Sequence, residues 1–270
     1  MDGCTGSPID KVFKNLKNNN QKAFIPFITC GFPSPDRFFK LFETLDKNGA
    51  DIIEIGIPFS DPLADGPVIQ TTSRVALENG INTDIVFESI IKIRKSSDTP
   101  IAIMTYFNTI YHYGLEKFLK KAESAGVNGL IIPDLPLEEF TCYESYFNQV
   151  NIDNILLASL TSGKERLQAI AEKSRGFIYC ISVKGITGIR NSINPEVINF
   201  LRNLRKITSL PLALGFGLSS REQIGQIKNY CDGIIVGSKI LSLILEVDSF
   251  SKGIKEVENF TSSVSNLLKS

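Results

Sequence analysis

Alternation of short apolar runs with amphipathic helical spacings predicts a parallel (β/α)8 barrel (a TIM barrel) spanning residues 1–270 as a single domain. Three observations carry that expectation. Eight β-branched or apolar runs occur in order, each followed by a helical pattern. A length of 270 residues suits one large α/β barrel, for which ~250 is usual. The rival doubly wound sheet commonly announces itself with G-x-G-x-x-G after its first strand, and ITCGFPSP lacks that pattern.

The predicted strands are AFIPFIT from Ala23, DIIEI from Asp51, PIAIM from Pro100 and GLIIP from Gly129. They continue with NILLA from Asn154, FIYCI from Phe177, LPLAL from Leu210 and DGIIV from Asp232. Near-continuous apolar runs of this kind are strands buried on both faces. Before the first of them, Ile9, Val12, Phe13 and Leu16 repeat at helical spacing and predict an extra helix that plugs the barrel bottom. Ser34-Pro35 opens a helix carrying Phe38, Leu41, Phe42 and Leu45, which Gly49 ends. Leu115, Phe118, Leu119 and Ala122 form the next clear stripe, stopped by Gly126. Asn194-Pro195 starts a helix with Val197, Phe200, Leu201 and Leu204, and Ser219 with Glu222 reads as a capping box before Ile224 and Ile227. The last forty residues read as the eighth helix and an additional terminal one.

Two strand-to-strand gaps are long. The one after the second run holds a polar loop and two helices' worth of sequence, and the one after the sixth holds a loop of about a dozen residues before Asn194. Barrel chemistry is built from the loops that follow the strands, so these two segments draw the search for a site.

Composition mainly excludes. Lys and Arg number 29 against 29 Asp and Glu, with pI about 6.6, so no basic excess draws the chain to nucleic acid or an anionic membrane. Apolar residues make up 43% and mean hydropathy is +0.05, a globular balance, and no run reaches the ~18 apolar residues of a membrane span. Cysteines at 4, 30, 142, 180 and 231 form no C-x-x-C pair and favour a reducing compartment. With no signal-peptide pattern in MDGCTGSPIDKVF, the expected location is cytoplasmic. His112 is the one histidine and reads as structural, so acid–base chemistry falls to carboxylates, Tyr or Lys. No metal-ligand cluster, Ser-His-Asp set or flavin signature is visible.

Two constellations carry chemistry. In IEIGIPFSDPLADGP, Ile53 to Pro67, strand alternation turns Glu54 opposite to Ile53 and Ile55, into the barrel. A carboxylate there is desolvated and holds its proton toward neutrality, although a Glu bonded within the barrel would share the same spacing. Asp61 and Asp65 follow in a loop stiffened by two prolines, and one of them is a turn-former; spacing does not say which. The second constellation is glycine at strand ends: ITG (Ile186–Gly188), GFG (Gly215–Gly217) and VGS (Val236–Ser238). Glycines there also make ordinary turns, but three sets together with a helix N-terminus suit a phosphate held by backbone N–H groups without Arg or Lys.

From Lys11 onward the chain resembles the tryptophan synthase alpha subunit family. IEIGIPFSDPLADGP carries the family signature, and FIPFITCGFPSP, MTYFN, LIIPDLP, GITG, ALGFGLS and VGS follow in the expected order. The resemblance implies retro-aldol cleavage of indole-3-glycerol phosphate to indole and glyceraldehyde 3-phosphate, without metal or cofactor. It also implies a β partner that receives the indole, in an α2β2 tetramer contacted through the loops after the second and sixth strands. Within it, Glu54 matches the general acid/base and Asp65 the carboxylate that accepts the indole N–H, which leaves Asp61 structural. Gly188, Gly217, Gly237 and Ser238 match the phosphate cradle. Phe27, Tyr106, Tyr179 and Phe216 match positions around indole and glycerol, and Thr187 a residue that closes over the site. SVKGITG departs from relatives with a Ser and Arg pair before the glycine, so Val183 and Lys184 inherit no role. The alternatives are a free-standing indole-glycerol-phosphate lyase, a mainly activating subunit with weak catalysis, or another phosphate-binding barrel such as an isomerase.

Overall fold

The computed structural model describes residues 6–181, 194–215 and 217–270. Among them the strands are β1 (Ala23–Thr29), β2 (Ile53–Gly56), β3 (Ile101–Met104), β4 (Gly129–Ile131), β5 (Asp153–Ile155), β6 (Leu157–Ser159), β7 (Ile178–Ile181), β8 (Leu212–Gly215) and β9 (Gly233–Val236). Every pairing is parallel, in the order β5-β4-β3-β2-β1-β9-β8-β7-β6. The two ends of that order, β5 and β6, are consecutive in the chain with only Leu156 between them, so the sheet closes on itself. The single run predicted from Asn154 is therefore two short strands. The break is a change of partner: Asp153–Ile155 pairs with β4, whereas Leu157–Ser159 pairs with β7, and the Leu156 carbonyl accepts the Tyr179 N–H at 3.0 Å. Strand tilt in a closed barrel staggers the neighbours, which forces this hand-over.

The helices are α1 (Pro8–Asn18), α2 (Pro35–Lys47), α3 (Pro67–Glu78), α4 (Thr83–Ile93), α5 (Phe107–Tyr113), α6 (Leu115–Ala125), α7 (Leu137–Phe147), α8 (Lys164–Lys173), α9 (Pro195–Ile207), α10 (Arg221–Ile227), α11 (Ser238–Leu245) and α12 (Phe250–Lys269). The fold is the predicted (β/α)8 barrel, with extra helices at the N-terminus, after β2 and at the C-terminus. Outward strand residues such as Ile53, Ile55, Ile101 and Ile103 join the helix faces in one apolar layer around the ring. The helix after β8 is capped one position later than the sequence reading: Ser220 accepts from the Gln223 N–H and Gln223 completes the box, while Ser219 donates its N–H to the Gln223 side chain. Both serines satisfy the same local pattern, and the turn after β8 selects between them.

A second, smaller cluster fills the barrel bottom. Ile9, Phe13 and Leu16 of α1 pack with Ala23, Ile25, Ala102, Ile131, Ile155, Phe177 and Ala213. Gly129 of β4 leaves room for α1 at this level: a Cβ there would meet Ile9 Cδ1 at 2.9 Å and Ile155 Cδ1 at 2.7 Å. The Ser7 hydroxyl caps α1, and the same side chain bonds the Asp153 carboxylate of β5, tying the plug to the wall. At the other terminus Lys269 reaches both Asp51 oxygens at 2.6 Å and Lys228 donates to the Leu267 carbonyl at 2.7 Å, so α12 is clasped against the same end. With its bottom sealed, the barrel leaves the mouth at the strand C-termini as the open end. No helix of the described residues is long and apolar enough to cross a membrane.

Candidate active site

A cavity with about 730 Å³ of empty space, part of it open to solvent, occupies that mouth. It is the size that admits an organic metabolite. Phe27, Glu54, Met104, Tyr179 and Ile235 line it from β1, β2, β3, β7 and β9. Ala64, Asp65 and Gly66 approach from the loop after β2, and Gly217, Ser219, Gly237, Ser238 and Lys239 from the turns after β8 and β9.

Glu54 sits in register between Phe27 of β1 and Ala102 of β3, and its side chain turns inward as strand alternation requires. It is 0% exposed and neither carboxylate oxygen has a hydrogen-bond partner among the described residues. Burial first, and the Asp65 charge second, push its pKa up to about 8. An unpartnered carboxyl in an apolar barrel is costly to ionise, so it enters neutral pH carrying its proton.

Asp65 is half-buried, and burial pushes its pKa up to about 6 against the opposing effect of the Tyr106 hydroxyl. The two carboxyls therefore titrate on opposite sides of neutrality. Such a split suits two groups of one chemistry to different tasks.

The loop that presents Asp65 is held by named contacts. The Asp65 N–H donates to the Pro62 carbonyl at 3.1 Å, its own carbonyl accepts from Gln70 at 2.8 Å, and the Ala64 N–H donates to the Tyr106 hydroxyl at 2.9 Å. The Tyr106 ring stacks on Phe59 with centroids 5.1 Å apart and planes 26° from parallel. Asp61 is exposed and stands outside the cavity; its carboxylate accepts from the neighbouring Ser60 hydroxyl and its carbonyl accepts from the Leu63 N–H.

Two glycines make room for the aromatic walls. A Cβ at Gly215 would meet Tyr179 ring and hydroxyl atoms at 2.5–2.8 Å, and one at Gly56 would meet the Phe27 ring at 2.6–2.8 Å. Any larger residue at either place would displace a ring that lines the cavity. Burial, then the Glu54 and Asp65 charges, hold the Tyr179 phenol well above its ordinary value, so it is a neutral wall. Beside Phe27, Gly237 and Ser238 open α11, so a helix N-terminus lines the cavity and suits an anion.

The profile of the family described as tryptophan synthase alpha chain matches residues 13–269. The chain belongs to that family.

Among its tryptophan synthase alpha chain relatives, the one from Caldanaerobacter subterraneus is 43% identical over 260 residues, covering 96% of this chain and 99% of the relative. The crystal structure of tryptophan synthase subunit alpha from Legionella pneumophila superposes with a TM-score of 0.90 at 34% identity, covering 97% of this chain and 98% of that one. A chain of Mycobacterium tuberculosis tryptophan synthase superposes with a TM-score of 0.89 at 30% identity, covering 98% and 99%.

Of the residues matched to the family from sequence, Phe27, Glu54, Asp65, Tyr179, Gly217, Gly237 and Ser238 converge on one cavity. Tyr106 does not line it; it stands behind the β2–α3 loop as that loop's hydrogen-bond post. Thr187, Gly188 and Phe216 lie outside the described residues. Met104, Ile69, Ile235 and Lys239 line the cavity without having been read from sequence. Met104 and Ile235 were legible by the alternation that found Glu54, being two residues beyond inward-facing Ala102 and Gly233. Lys239 was hidden by the expectation that backbone amides need no lysine beside them.

Proposed function

We propose that this chain catalyses retro-aldol cleavage of indole-3-glycerol phosphate to indole and glyceraldehyde 3-phosphate, as an alpha subunit that passes indole to a tryptophan synthase beta subunit. Residues 1–270 act in this reading as one barrel domain in the cytoplasm. The observation that carries it is the pair of inequivalent carboxyls, Glu54 buried and protonated near neutrality and Asp65 ionised across the same cavity.

The chemistry follows from those two states. Protonated Glu54 donates its proton to indole C3, which places positive charge on the ring nitrogen. The Asp65 carboxylate accepts the ring N–H hydrogen bond and stabilises that charge as it develops. Glu54, now ionised, takes the proton from the hydroxyl of the adjacent glycerol carbon. The carbon–carbon bond breaks, its electron pair returns to the ring, and the glycerol carbon leaves as an aldehyde. Glu54 is again protonated, so protons and electrons balance without a redox partner.

Phe27 and Tyr179 flank the ring in this reading, and Gly217, Gly237 and Ser238 hold the phosphate. By resemblance, Gly188 and Phe216 complete those walls and Thr187 closes over Asp65. The loop after β2, where Leu63 is 96% exposed, is the surface placed against a beta subunit in an α2β2 assembly. Ordering that loop also orders Asp65, which couples docking to catalysis.

The test is indole release from indole-3-glycerol phosphate by the isolated chain, with and without a tryptophan synthase beta subunit. The expected result is slow release alone and about tenfold or more acceleration with the partner. Equal, fast rates identify a free-standing lyase, and no release in either case refutes the activity.

Tyr106→Phe removes the hydroxyl that holds the Ala64 N–H while keeping the stack on Phe59. One net hydrogen bond is worth ~1 kcal/mol, so indole release should fall about fivefold in kcat with a smaller change in KM. Steady-state kinetics of the partnered enzyme checks this; an unchanged kcat means the loop needs no such post.

A further inference from the structure

Lys239 has no role in the mechanism above, yet it lines the same cavity as Glu54 and Asp65. It is the second residue of α11, directly after Ser238, and it is only partly exposed. The backbone at that position already presents the positive end of a helix, where a cation is disfavoured and an acidic side chain is the usual complement. The first turn of α11 contains no acidic residue, and the Lys239 ammonium has no ion-pair or hydrogen-bond partner among the described residues. The carboxylates of the cavity do not supply one. What raises the proton affinity of Glu54 is burial and Asp65, what raises that of Asp65 is burial, and no lysine offsets either.

A cation at a helix N-terminus with no counter-charge beside it is disfavoured by the helix dipole, unless an anion completes the place. The rest of the cavity is built for a ligand, since Glu54 points both unpartnered oxygens into it at 0% exposure. We infer that Lys239 pairs with the phosphate of the bound substrate, adding a charged side-chain contact to the backbone N–H groups of Gly237 and Ser238. The inference rests on the proposed substrate for its identity and on the cavity for its chemistry. An ammonium at this point favours a phosphate monoester dianion over a neutral ligand of the same shape, so Lys239 positions substrate and sets charge selectivity. It does not touch the reacting carbons.

Lys239→Met keeps the length of the stem and removes the charge; Lys239→Arg keeps the charge. Three readouts on the enzyme with its beta subunit test the inference: kcat and KM for indole-3-glycerol phosphate, inhibition by inorganic phosphate, and inhibition by the neutral analogue indole-3-propanol. The expected result for Lys239→Met is a roughly five- to tenfold rise in KM and in the phosphate inhibition constant, the size of one partly exposed ion pair at a helix N-terminus. The kcat should stay within about twofold and indole-3-propanol should bind as before, since only uniform binding of the phosphate is lost. Lys239→Arg should recover most of the loss. An unchanged phosphate inhibition constant in Lys239→Met overturns the inference, and so does an equal weakening of the neutral analogue, which would mark a packing role. If phosphate binding depends on Lys239 while the unsubstituted enzyme cleaves no indole-3-glycerol phosphate, the anion site stands and the proposed activity falls.

Discussion

Replacing Glu54 by Gln is expected to lower kcat for indole release by about 10³-fold, with KM changed by less than about threefold. The amide has the shape and neutrality of the protonated acid, so substrate should still bind, but it cannot give a proton to the ring or take one from the hydroxyl. Both transfers belong to one side chain in the proposed mechanism, which places the expected loss well inside the usual general acid–base range of about 10²–10⁴. The other carboxylate of the cavity, Asp65, is committed to the ring N–H in the proposed mechanism, so it is not free to take over the shuttle. Steady-state and single-turnover measurements with the beta subunit present check the effect on chemistry rather than product release. Turnover within tenfold of the unsubstituted enzyme refutes the proton-shuttle role.

The same substitution is expected to stabilise the ligand-free chain, and by an amount that depends on pH. Glu54 has a folded pKa of about 8 against an ordinary value of 4.5. Below the ordinary value the carboxyl is protonated in both folded and unfolded chains, so burial costs no charge there. As pH rises from 4.5 toward 8, the unfolded chain ionises while the folded one holds its proton, and the folded state progressively loses stability. Above about 8 both states are ionised and the loss is constant. At 1.36 kcal/mol per pKa unit the full difference is on the order of 4–5 kcal/mol, an upper figure for a real chain that relaxes on ionisation. Gln cannot ionise, so Glu54→Gln should match the unsubstituted chain near pH 4 and exceed it by several kcal/mol near pH 9. Asp65 and Asp153, also raised to about 6 by burial, are present in both proteins and cancel in the difference. Urea unfolding of both chains across pH 4–9 provides the measurement. A difference that does not grow with pH shows that Glu54 is not the buried proton carrier. A residue that weakens the protein where the enzyme must work is retained for what it does, the usual trade between site and scaffold.

The helices and strands were largely legible because their signals are local. Apolar spacing in α1, α2, α6 and α9 marks the buried stripe of each helix, and Pro35, Pro195 and Gly126 punctuate them where expected. Inward orientation of Glu54 came from the same local logic, a period of two along β2. The misplacements also have local causes. Ser219 and Ser220 compete for one cap, and a hand-over between neighbouring strands has no composition of its own, so Asn154–Ala158 read as one strand.

Residue order thus reached as far as periodicity and chain-local chemistry reach: a closed parallel barrel, a plug under it, a carboxyl facing inward and glycines at the strand ends. It left Asp61 and Asp65 equivalent on spacing, gave Tyr106 a place against substrate by resemblance, and did not single out Lys239. The contacts that distinguish these residues join segments far apart in the chain. Tyr106 approaches Ala64 across 42 positions, and Lys239 meets the Glu54 cavity only because β9 pairs with β1 and β1 with β2. The raised pKa of Glu54 belongs to the same class, for it measures how completely nine strands and their loops exclude water from one carboxyl. Desolvation and convergence are properties of the closed barrel, and no window of sequence short enough to show a period contains them.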